Sequence, residues 1–525
     1  MKLNTTRAEV PPRFPLFAII ILVAGLLLSA LTVQGTVRLP ALLSDGMVLQ
    51  RDEPVRIWGT ASPAEKVSVA FRGHTVESIA TPSGGWQVFL PAMEAGGPDE
   101  LVVRGENQLT VHNVLTGEVW LASGQSNMRW TLAQSDNGTE EVTTADYPSI
   151  HYFQVPLKTS TSPQSDVAGA WRVVSPKTAG ILSGVGYFFS RELHKKLRVP
   201  VGIIQSTYGN TPAQAWVRPE VLAADPLLAV YFERWKKVLD AYPAAARRHE
   251  EEMTAWKGAA AKAKDAHEPI PVAPPSPPGP GYYTAPCGLY NAMIAPLTPL
   301  TIRGIIWYQG ESSSAAEDAP LYQRLFSSLV TDWRRQWGLG DIPFIFAQIS
   351  IDRGKSLFPE VREAQRETLQ LRNTAMVVTI DVGEPLGSHP TNKKTVGERF
   401  AQSALALAYG ETIEYSGPLF RRVTTEGQQL RLWFDHTGQG LSVRGNGSLE
   451  GFWLAGTDHA FHRAKAVIDA GSVVLSCDEV RAPVAARYAW INDARPANLM
   501  NRDGFPASPF RTDDWVIVAL PAKAP

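Results

Sequence analysis

The sequence predicts an α/β protein with a parallel-sheet core and a β-rich accessory domain on each side of that core. Between about residues 117 and 410, short apolar segments alternate with amphipathic helical segments, which is typical of a parallel sheet covered by helices. The flanking regions instead contain short segments separated by Gly, Pro and Ser turns. Two apolar segments of the core end abruptly in polar clusters and a third polar cluster lies further along the chain, as expected where successive strand ends open into one crevice.

The first β-rich domain is expected over residues 36–116. Its alternating segments at residues 55–58, 67–71 and 86–90 predict strands of a β-sandwich. No aromatic platform is evident from their spacing, so we expect this domain to brace the core. A second β-rich domain is expected over residues 411–525, with strands at 430–434, 473–476 and 515–520.

The core is expected over residues 117–410. Its candidate strands cover residues 199–204, 302–307, 344–348 and 375–380, and its candidate helices cover residues 187–197, 321–337 and 394–407. Residues 233–281 form an insertion. Its first part is rich in Ala, Lys, Glu and Arg and predicts a helix, whereas the proline-rich stretch at 269–280 predicts a polyproline-like strut. The charges suit a solvated helix face, so we interpret the insertion as a variable element near the crevice.

The N-terminal segment, residues 1–35, has the order of a secretory signal. Lys2, Arg7 and Arg13 precede an apolar run at 17–33, which predicts export to a secreted or periplasmic location. The run approaches the ~17 residues that can cross a bilayer, so an uncleaved membrane anchor is the alternative. Cys287 and Cys477 could pair in an oxidising compartment, but they could equally be two separate buried thiols.

Length and charge exclude several classes of function. At 525 residues the chain is longer than a single core usually supports, and about two to four domains are expected. With 50 basic and 51 acidic residues, the net charge of −1 gives no general attraction to nucleic acid or to an anionic membrane surface. No Cys/His spacing of the zinc-binding type is present, so no metal site is predicted.

Three polar clusters carry the candidate chemistry. In the first, at residues 119–128, an apolar run stops shortly before Ser126, which follows Gly124 and Gln125, and in the second, at 303–312, Gln309 directly follows an apolar run. The third, at 387–393, contains His389 followed by Pro390. A hydroxyl, an amide and an imidazole therefore occur in the order nucleophile, donor and base.

These clusters resemble the SGNH hydrolases, and specifically the sialate O-acetylesterase type of carbohydrate esterase. The resemblance extends through residues 202–216, 290–296, 332–338 and 509–513, and so covers most of the chain from about residue 36. It implies a flavodoxin-like catalytic core that needs neither a metal ion nor another cofactor. It further implies an oxyanion hole made by the backbone amides of Ser126 and Gly209 and the side-chain amide of Gln309. Arg129 is a departure, since relatives usually carry Glu there.

Ser126 is the predicted nucleophile and His389 the predicted base. The third member of a triad is harder to assign, because SGNH hydrolases commonly place Asp two or three residues before the histidine, and here those positions are Gly387 and Leu386. Glu384 or Asp381 could reach the second imidazole nitrogen if the loop folds back. Alternatively, a backbone carbonyl could orient a Ser–His dyad.

The expected function is a serine esterase that removes acetyl groups from O-acetylated carbohydrates through an acyl-enzyme intermediate. The resemblance suggests O-acetylated sialic acid or a plant polysaccharide such as xylan or xyloglucan as substrate. A rival from another class is a carbohydrate-binding protein whose catalytic core has decayed, because the usual acid is missing. A lipase or peptidase would share the chemistry, but residues around Ser126 lack the Gly-x-Ser-x-Gly elbow of the common lipase fold.

Overall fold

A computed structural model describes residues 37–352, 354, 356–384 and 387–515. The first strands are β1 (Val48–Gln50), β2 (Val55–Thr60), β3 (Lys66–Phe71), β4 (His74–Ile79), β5 (Gly85–Leu90), β6 (Gly96–Arg104) and β7 (Gln108–Gly124). Strands of the middle region are β8 (Tyr147–Gln154), β9 (Trp171–Val174), β10 (Val201–Thr207), β11 (Gly304–Tyr308), β12 (Phe344–Ala347) and β13 (Thr374–Val377).

Helices occur mainly between and after these middle strands. They are α1 (Ser126–Arg129), α2 (Gly138–Thr143), α3 (Gly184–Leu197), α4 (Pro219–Ala224), α5 (Val230–Asp265), α6 (Tyr322–Trp337), α7 (Phe358–Thr368) and α8 (Lys393–Tyr409). The remaining strands are β14 (Leu419–Glu426), β15 (Gln429–Asp435), β16 (Leu441–Val443), β17 (Phe452–Ala455), β18 (Phe461–Arg463), β19 (Lys465–Asp469), β20 (Ser472–Ser476), β21 (Ala485–Tyr488), β22 (Leu499–Asn501) and β23 (Phe510–Arg511).

The core is a sheet with the strand order β13-β12-β11-β7-β10-β8-β9. Its neighbouring strands are parallel except at the edge, where β9 runs antiparallel to β8. Thr207 at the end of β10 and Tyr308 at the end of β11 both pair with Gly124 at the end of β7. The loops that follow these three strands therefore begin at the same level of the sheet.

Both faces of the parallel sheet are buried, as a sheet covered by helices requires. Val119 and Leu121 of β7 belong to one apolar cluster, whereas Trp120 and Ala122 belong to a second cluster on the opposite face. The second cluster packs against α3 and α8, and the first extends into both the N-terminal and the C-terminal β-rich regions. The predicted α/β class with β-rich flanking regions is confirmed.

Strand β7 joins the N-terminal region to the core without a break. Its first half pairs antiparallel with β6, and its second half pairs parallel with β10 and β11. The boundary that we expected at residues 116 and 117 consequently falls inside a continuous strand. Any relative motion of the two regions would have to bend that strand.

The insertion begins with a long helix, α5, and continues without helix or strand from residue 268 to residue 280. It contacts the loop after β8 at Gly281, whose carbonyl accepts a hydrogen bond of 2.6 Å from Thr159 Oγ1. Tyr283 then stacks on Tyr208, with ring centroids 5.2 Å apart. The end of the insertion therefore lies beside the loop that follows β10.

Some sequence predictions fall on parts of the chain outside the described residues. These are the N-terminal segment 1–35 and most of the last predicted strand, of which only Trp515 is described, without strand structure. Within the described residues, none of the helices is long and apolar enough to span a membrane. Cys287 and Cys477 are both free thiols, and burial raises the pKa of Cys287 to about 12.

Candidate active site

Ser126 lies at the carboxyl end of β7, where the chain turns sharply into the short helix α1. Gly124 makes this turn at φ 133°, and a Cβ there would meet the Tyr308 carbonyl oxygen at 2.2 Å, so only glycine fits. The next residue, Gln125, donates a backbone hydrogen bond of 2.9 Å to the same carbonyl oxygen. The two residues before Ser126 thus fix its position at the end of the strand.

His389 reaches Ser126 from the loop before α8. Its Nε2 atom lies 2.7 Å from Ser126 Oγ, across 263 positions of sequence. Trp130 stacks on the imidazole with ring centroids 5.6 Å apart. Burial, reinforced by the positive charge of Lys393, lowers the pKa of His389 below its ordinary value, so the ring is neutral near pH 7 and able to accept a proton.

The two carboxylates predicted to orient His389 have other partners. Asp381 forms a two-pronged ion pair with Arg399, at 2.8 Å and 2.7 Å. Glu384 accepts a backbone hydrogen bond of 2.6 Å from Thr391 and a second bond from the Thr391 hydroxyl. In the described part of the chain, neither carboxylate forms a hydrogen bond to His389.

Gly209 lies against the nucleophile. A Cβ built on it would sit 3.7 Å from Ser126 Cβ and 4.0 Å from Arg129 Nη1. Within the described residues, no hydrogen bond involves the backbone amide of Gly209 or that of Ser126. Both N–H groups remain available to a negatively charged oxygen beside Ser126.

Gln309 is fully buried, and in the described part of the chain its side chain forms no hydrogen bond to Ser126. Its Nε2 group lies 3.0–3.2 Å from Gln125 Oε1, the Thr211 carbonyl and Ser313 Oγ, so its two hydrogens are shared among three acceptors, and its Oε1 accepts a 3.0 Å bond from the Tyr322 hydroxyl. Gln125 Nε2 in turn lies 3.4 Å from Ser126 Oγ. In this arrangement, Gln309 reaches the nucleophile through Gln125.

Three polar residues near the dyad had received no specific role from the sequence: Asn127 and Lys393, which are buried, and Glu311, which is half-buried with a buried carboxylate oxygen. Asn127 Nδ2 donates to Glu311 Oε1 at 2.5 Å and to the Ser388 carbonyl at 2.8 Å, while its Oδ1 accepts a 2.6 Å bond from Lys393 Nζ. Each lies within or next to one of the polar clusters of the sequence. Their burial could not be inferred, because charged residues near strand ends and helix starts are usually solvated.

A cavity of about 410 Å³ opens on the same side of the sheet. Arg129, Arg172, Gln154, Leu157 and Thr207 are among the residues that line it. Its position next to Ser126 follows from Arg129, which neighbours both this cavity and Gly209. Within the described residues, no group of three or more His, Cys, Asp or Glu side chains could hold a metal ion.

Comparisons with known proteins agree on one family. Residues 282–406 match the family model of carbohydrate esterases described as sialic acid-specific acetylesterase. The sialate O-acetylesterases of Mus musculus and Rattus norvegicus are 31% and 30% identical to this chain, and both alignments cover 86% of this chain and 89% of the relative. A carbohydrate acetylesterase from Xanthomonas citri, whose structure is known, is 38% identical in sequence, with a TM-score of 0.78. The structural alignment covers 91% of this chain and 100% of the Xanthomonas citri chain.

Proposed function

Because the chain belongs to the sialate O-acetylesterase family of carbohydrate esterases, we propose that it removes O-acetyl groups from glycans through an acetyl-enzyme intermediate on Ser126. The family predicted from the sequence is thereby confirmed. The observation that carries the proposal is the 2.7 Å contact between Ser126 Oγ and His389 Nε2. This distance is within hydrogen-bond reach, as a nucleophile and its base require.

In the first half-reaction, Ser126 Oγ attacks the acetyl carbonyl carbon while its proton moves to His389 Nε2. The carbonyl oxygen becomes negatively charged and is held by the backbone amides of Ser126 and Gly209. When the tetrahedral intermediate collapses, the bond to the sugar oxygen breaks and His389 returns the proton to that oxygen. The sugar leaves with a free hydroxyl, and the acetyl group stays on Ser126.

Water completes the second half-reaction. His389 removes a proton from the water as its oxygen attacks the acetyl-Ser126 carbonyl, and the same two amides stabilise the second oxyanion. Collapse breaks the bond to Ser126 Oγ, which recovers its proton from His389. Acetic acid leaves with the second proton of the water and ionises to acetate in solution, and the enzyme is regenerated without an oxidant or reductant.

We assign Asp381 and Glu384 to the structure of the loop rather than to the orientation of the His389 imidazole. Arg399 binds both carboxylate oxygens of Asp381, and Thr391 binds Oε1 of Glu384 through its backbone amide and its hydroxyl. These contacts favour a Ser126–His389 dyad over a triad with either carboxylate. Gln309 holds Gln125, the residue before Ser126, by a side-chain hydrogen bond.

The topology supports an SGNH-type, flavodoxin-like core. If the edge strand β9 and its neighbour β8, which is parallel to β10, are set aside, the remaining strands in chain order are β7, β10, β11, β12 and β13, and their order across the sheet is 2-1-3-4-5. That order is the flavodoxin-like one. Ser126 follows the first of these strands, next to the point where the chain order reverses, which is where ligands bind in such sheets.

We place the sugar in the cavity lined by Arg129 and Arg172, outside the Ser126–His389 pair. Two guanidinium groups favour a carboxylate-bearing sugar such as sialic acid over a neutral xylan or xyloglucan unit. Arg129→Gln should then lower kcat/KM for O-acetylated sialic acid and leave the hydrolysis of a neutral aryl acetate unchanged. Equal loss on both substrates would contradict this placement.

The remaining assignments follow the domain organisation predicted from the sequence. We propose that residues 36–116 and 411–525 act as accessory β-rich domains around a catalytic domain at 117–410. We also propose that the enzyme acts outside the cytoplasm, on the basis of the signal-like segment 1–35.

Acetate release is the test of the proposed function. The purified protein is assayed with a small aryl acetate, O-acetylated sialic acid and O-acetylated xyloglucan oligosaccharides, alongside Ser126→Ala as the control. The proposal requires acetate from at least one acetylated sugar and a loss of that activity in the variant. Binding of the sugars without hydrolysis would instead support a decayed carbohydrate-binding protein.

A further inference from the structure

Asn127 connects the nucleophile to the loop that carries the base. It directly follows Ser126, and its side chain is completely buried. Its Nδ2 group donates to the carbonyl of Ser388, the residue immediately before His389, at 2.8 Å. One side chain therefore links the turn at the end of β7 to the backbone that sets the position of the imidazole.

The orientation of the Asn127 amide is determined by the charges on either side of it. A lysine ammonium can only donate and a carboxylate can only accept, so Oδ1 must face Lys393 and Nδ2 must face Glu311. The distances are 2.6 Å to Lys393 Nζ and 2.5 Å to Glu311 Oε1. With Nδ2 held on this side, its second hydrogen is directed to the Ser388 carbonyl. The carboxylate and the ammonium thus align the amide between them, although burial raises the pKa of Glu311 and lowers that of Lys393 to about 7.

Packing keeps Lys393 inside the protein despite its charge. A Cβ on Gly184 would lie 3.1 Å from Lys393 Cβ, so the start of α3 presses on the lysine side chain. Its Nζ atom lies 5.6 Å from the ring centroids of both Trp130 and Tyr308. Trp130 also stacks on His389, so the cation supports the imidazole from two directions, through Asn127 and through this ring.

We propose that Asn127, Glu311 and Lys393 form a buried clamp that positions His389 against Ser126, in the role that a triad carboxylate has in other serine hydrolases. The clamp holds the backbone of the base loop instead of the second imidazole nitrogen. All three are positioning residues, since none touches the reacting atoms. This inference rests on the proposed function of Ser126 and His389.

The clamp predicts a specific effect on pH dependence. Burial lowers the pKa of Lys393 to about 7, while the carboxylates of Glu311, Glu384 and Asp136 favour its charged form, so Lys393 is charged at the acidic pH where His389 titrates. The Lys393 cation in turn lowers the pKa of His389. Removing the cation should raise the pKa of His389 and move the acidic limb of the kcat/KM profile to higher pH.

The experiment compares four variants using an aryl acetate over a range of pH. Asn127→Ala should lower kcat about 100-fold, as expected for a displacement of about 1 Å between reacting groups, with little change in KM. Lys393→Met should move the acidic limb of the kcat/KM profile to higher pH, because it removes the cation. Glu311→Gln should move the limb in the same direction, because Glu311 favours the charged form of Lys393. Lys394→Met is the matched control, since Lys394 is adjacent but exposed, and it should behave as the wild type.

Circular dichroism and thermal unfolding show which variants are folded. If Asn127→Ala does not fold, the nearly isosteric Glu311→Gln decides the matter. A folded Asn127→Ala with the kcat of Lys394→Met, or folded Lys393→Met and Glu311→Gln with an unmoved acidic limb, would overturn the clamp. Failure of the clamp leaves Ser126→Ala inactive and the wild type active, whereas failure of the proposed function removes acetate release from the wild type itself.

Discussion

Replacing Gly209 with alanine separates the geometry of the site from the stability of the fold. The new methyl group would lie 3.7 Å from Ser126 Cβ and 4.0 Å from Arg129 Nη1, which are ordinary van der Waals distances. We therefore expect the free energy of unfolding to change by less than about 1 kcal/mol. The methyl group would nevertheless narrow the space where the oxyanion approaches the Gly209 amide.

The expected loss of activity can be estimated from this crowding. A displacement of the acetyl carbonyl by about 1 Å costs roughly 100-fold in rate, which corresponds to about 2.7 kcal/mol in the activation barrier. Initial rates of aryl acetate hydrolysis and thermal unfolding would be measured on the same preparation. Gly124→Ala is the structural comparison, because its methyl group would clash at 2.2 Å with the Tyr308 carbonyl oxygen, and it should unfold at a much lower temperature.

A Gly209→Ala variant with full kcat and unchanged stability would refute the placement of Gly209 in the oxyanion wall. Loss of folding would also contradict the reasoning, because the structure leaves room for the methyl group. Only a folded protein with a large loss of kcat agrees with the assigned position.

The remaining predictions concern the base and its surroundings. The pKa of His389 is lowered and its neutral ring is the base, so activity should be full above that pKa and fall as the pH decreases through it. The acidic limb of the kcat/KM profile should therefore lie below pH 6.5, the ordinary pKa of histidine. An acidic limb above pH 6.5 would contradict this prediction. Gln309→Ala should lower thermal stability as well as kcat, because it leaves buried polar groups unpaired at a cost of about 1–3 kcal/mol each. If Gln309 acted only as an oxyanion donor, the variant would instead lose about 10²- to 10³-fold in kcat with unchanged stability. Asp381→Asn should lower the free energy of unfolding by up to about 3 kcal/mol, because it removes the charged partner of Arg399. Folded Asp381→Asn and Glu384→Gln proteins should keep kcat within a few-fold of the wild type. A loss of about 10⁴-fold in kcat in either variant would show that the replaced carboxylate is the triad acid.

Much of the architecture could be predicted because apolar periodicity records burial directly. The strands around residues 304–308 and 344–347 and helix α6 were expected within a few residues of their observed bounds. Strand β7 was not anticipated at its full length, from Gln108 to Gly124, since its first half is half-exposed and pairs antiparallel while its second half is fully buried. A change of partner along one strand leaves no single period in the sequence.

The pairing of Ser126 with His389 followed from polar clusters at strand ends, and the structure brings the two together. The partners of Asp381 and Glu384 did not follow, because they depend on the course of a loop and on Arg399, which α8 supplies 18 positions after Asp381. Lys393 illustrates the same difficulty. Whether a lysine at a helix start is solvated or buried depends on which rings and helices pack over it, and only the tertiary structure supplies that information.

The central claim, that acetyl transfer passes through Ser126, is tested most directly by trapping the intermediate. The protein is mixed with an aryl acetate, quenched in acid within the first turnovers and digested, and the peptide that contains Ser126 is examined by mass spectrometry. We predict one added acetyl group on Ser126 and none on that peptide in the Ser126→Ala variant. An acetyl group on a different side chain, or full acetate release by Ser126→Ala, would contradict the mechanism.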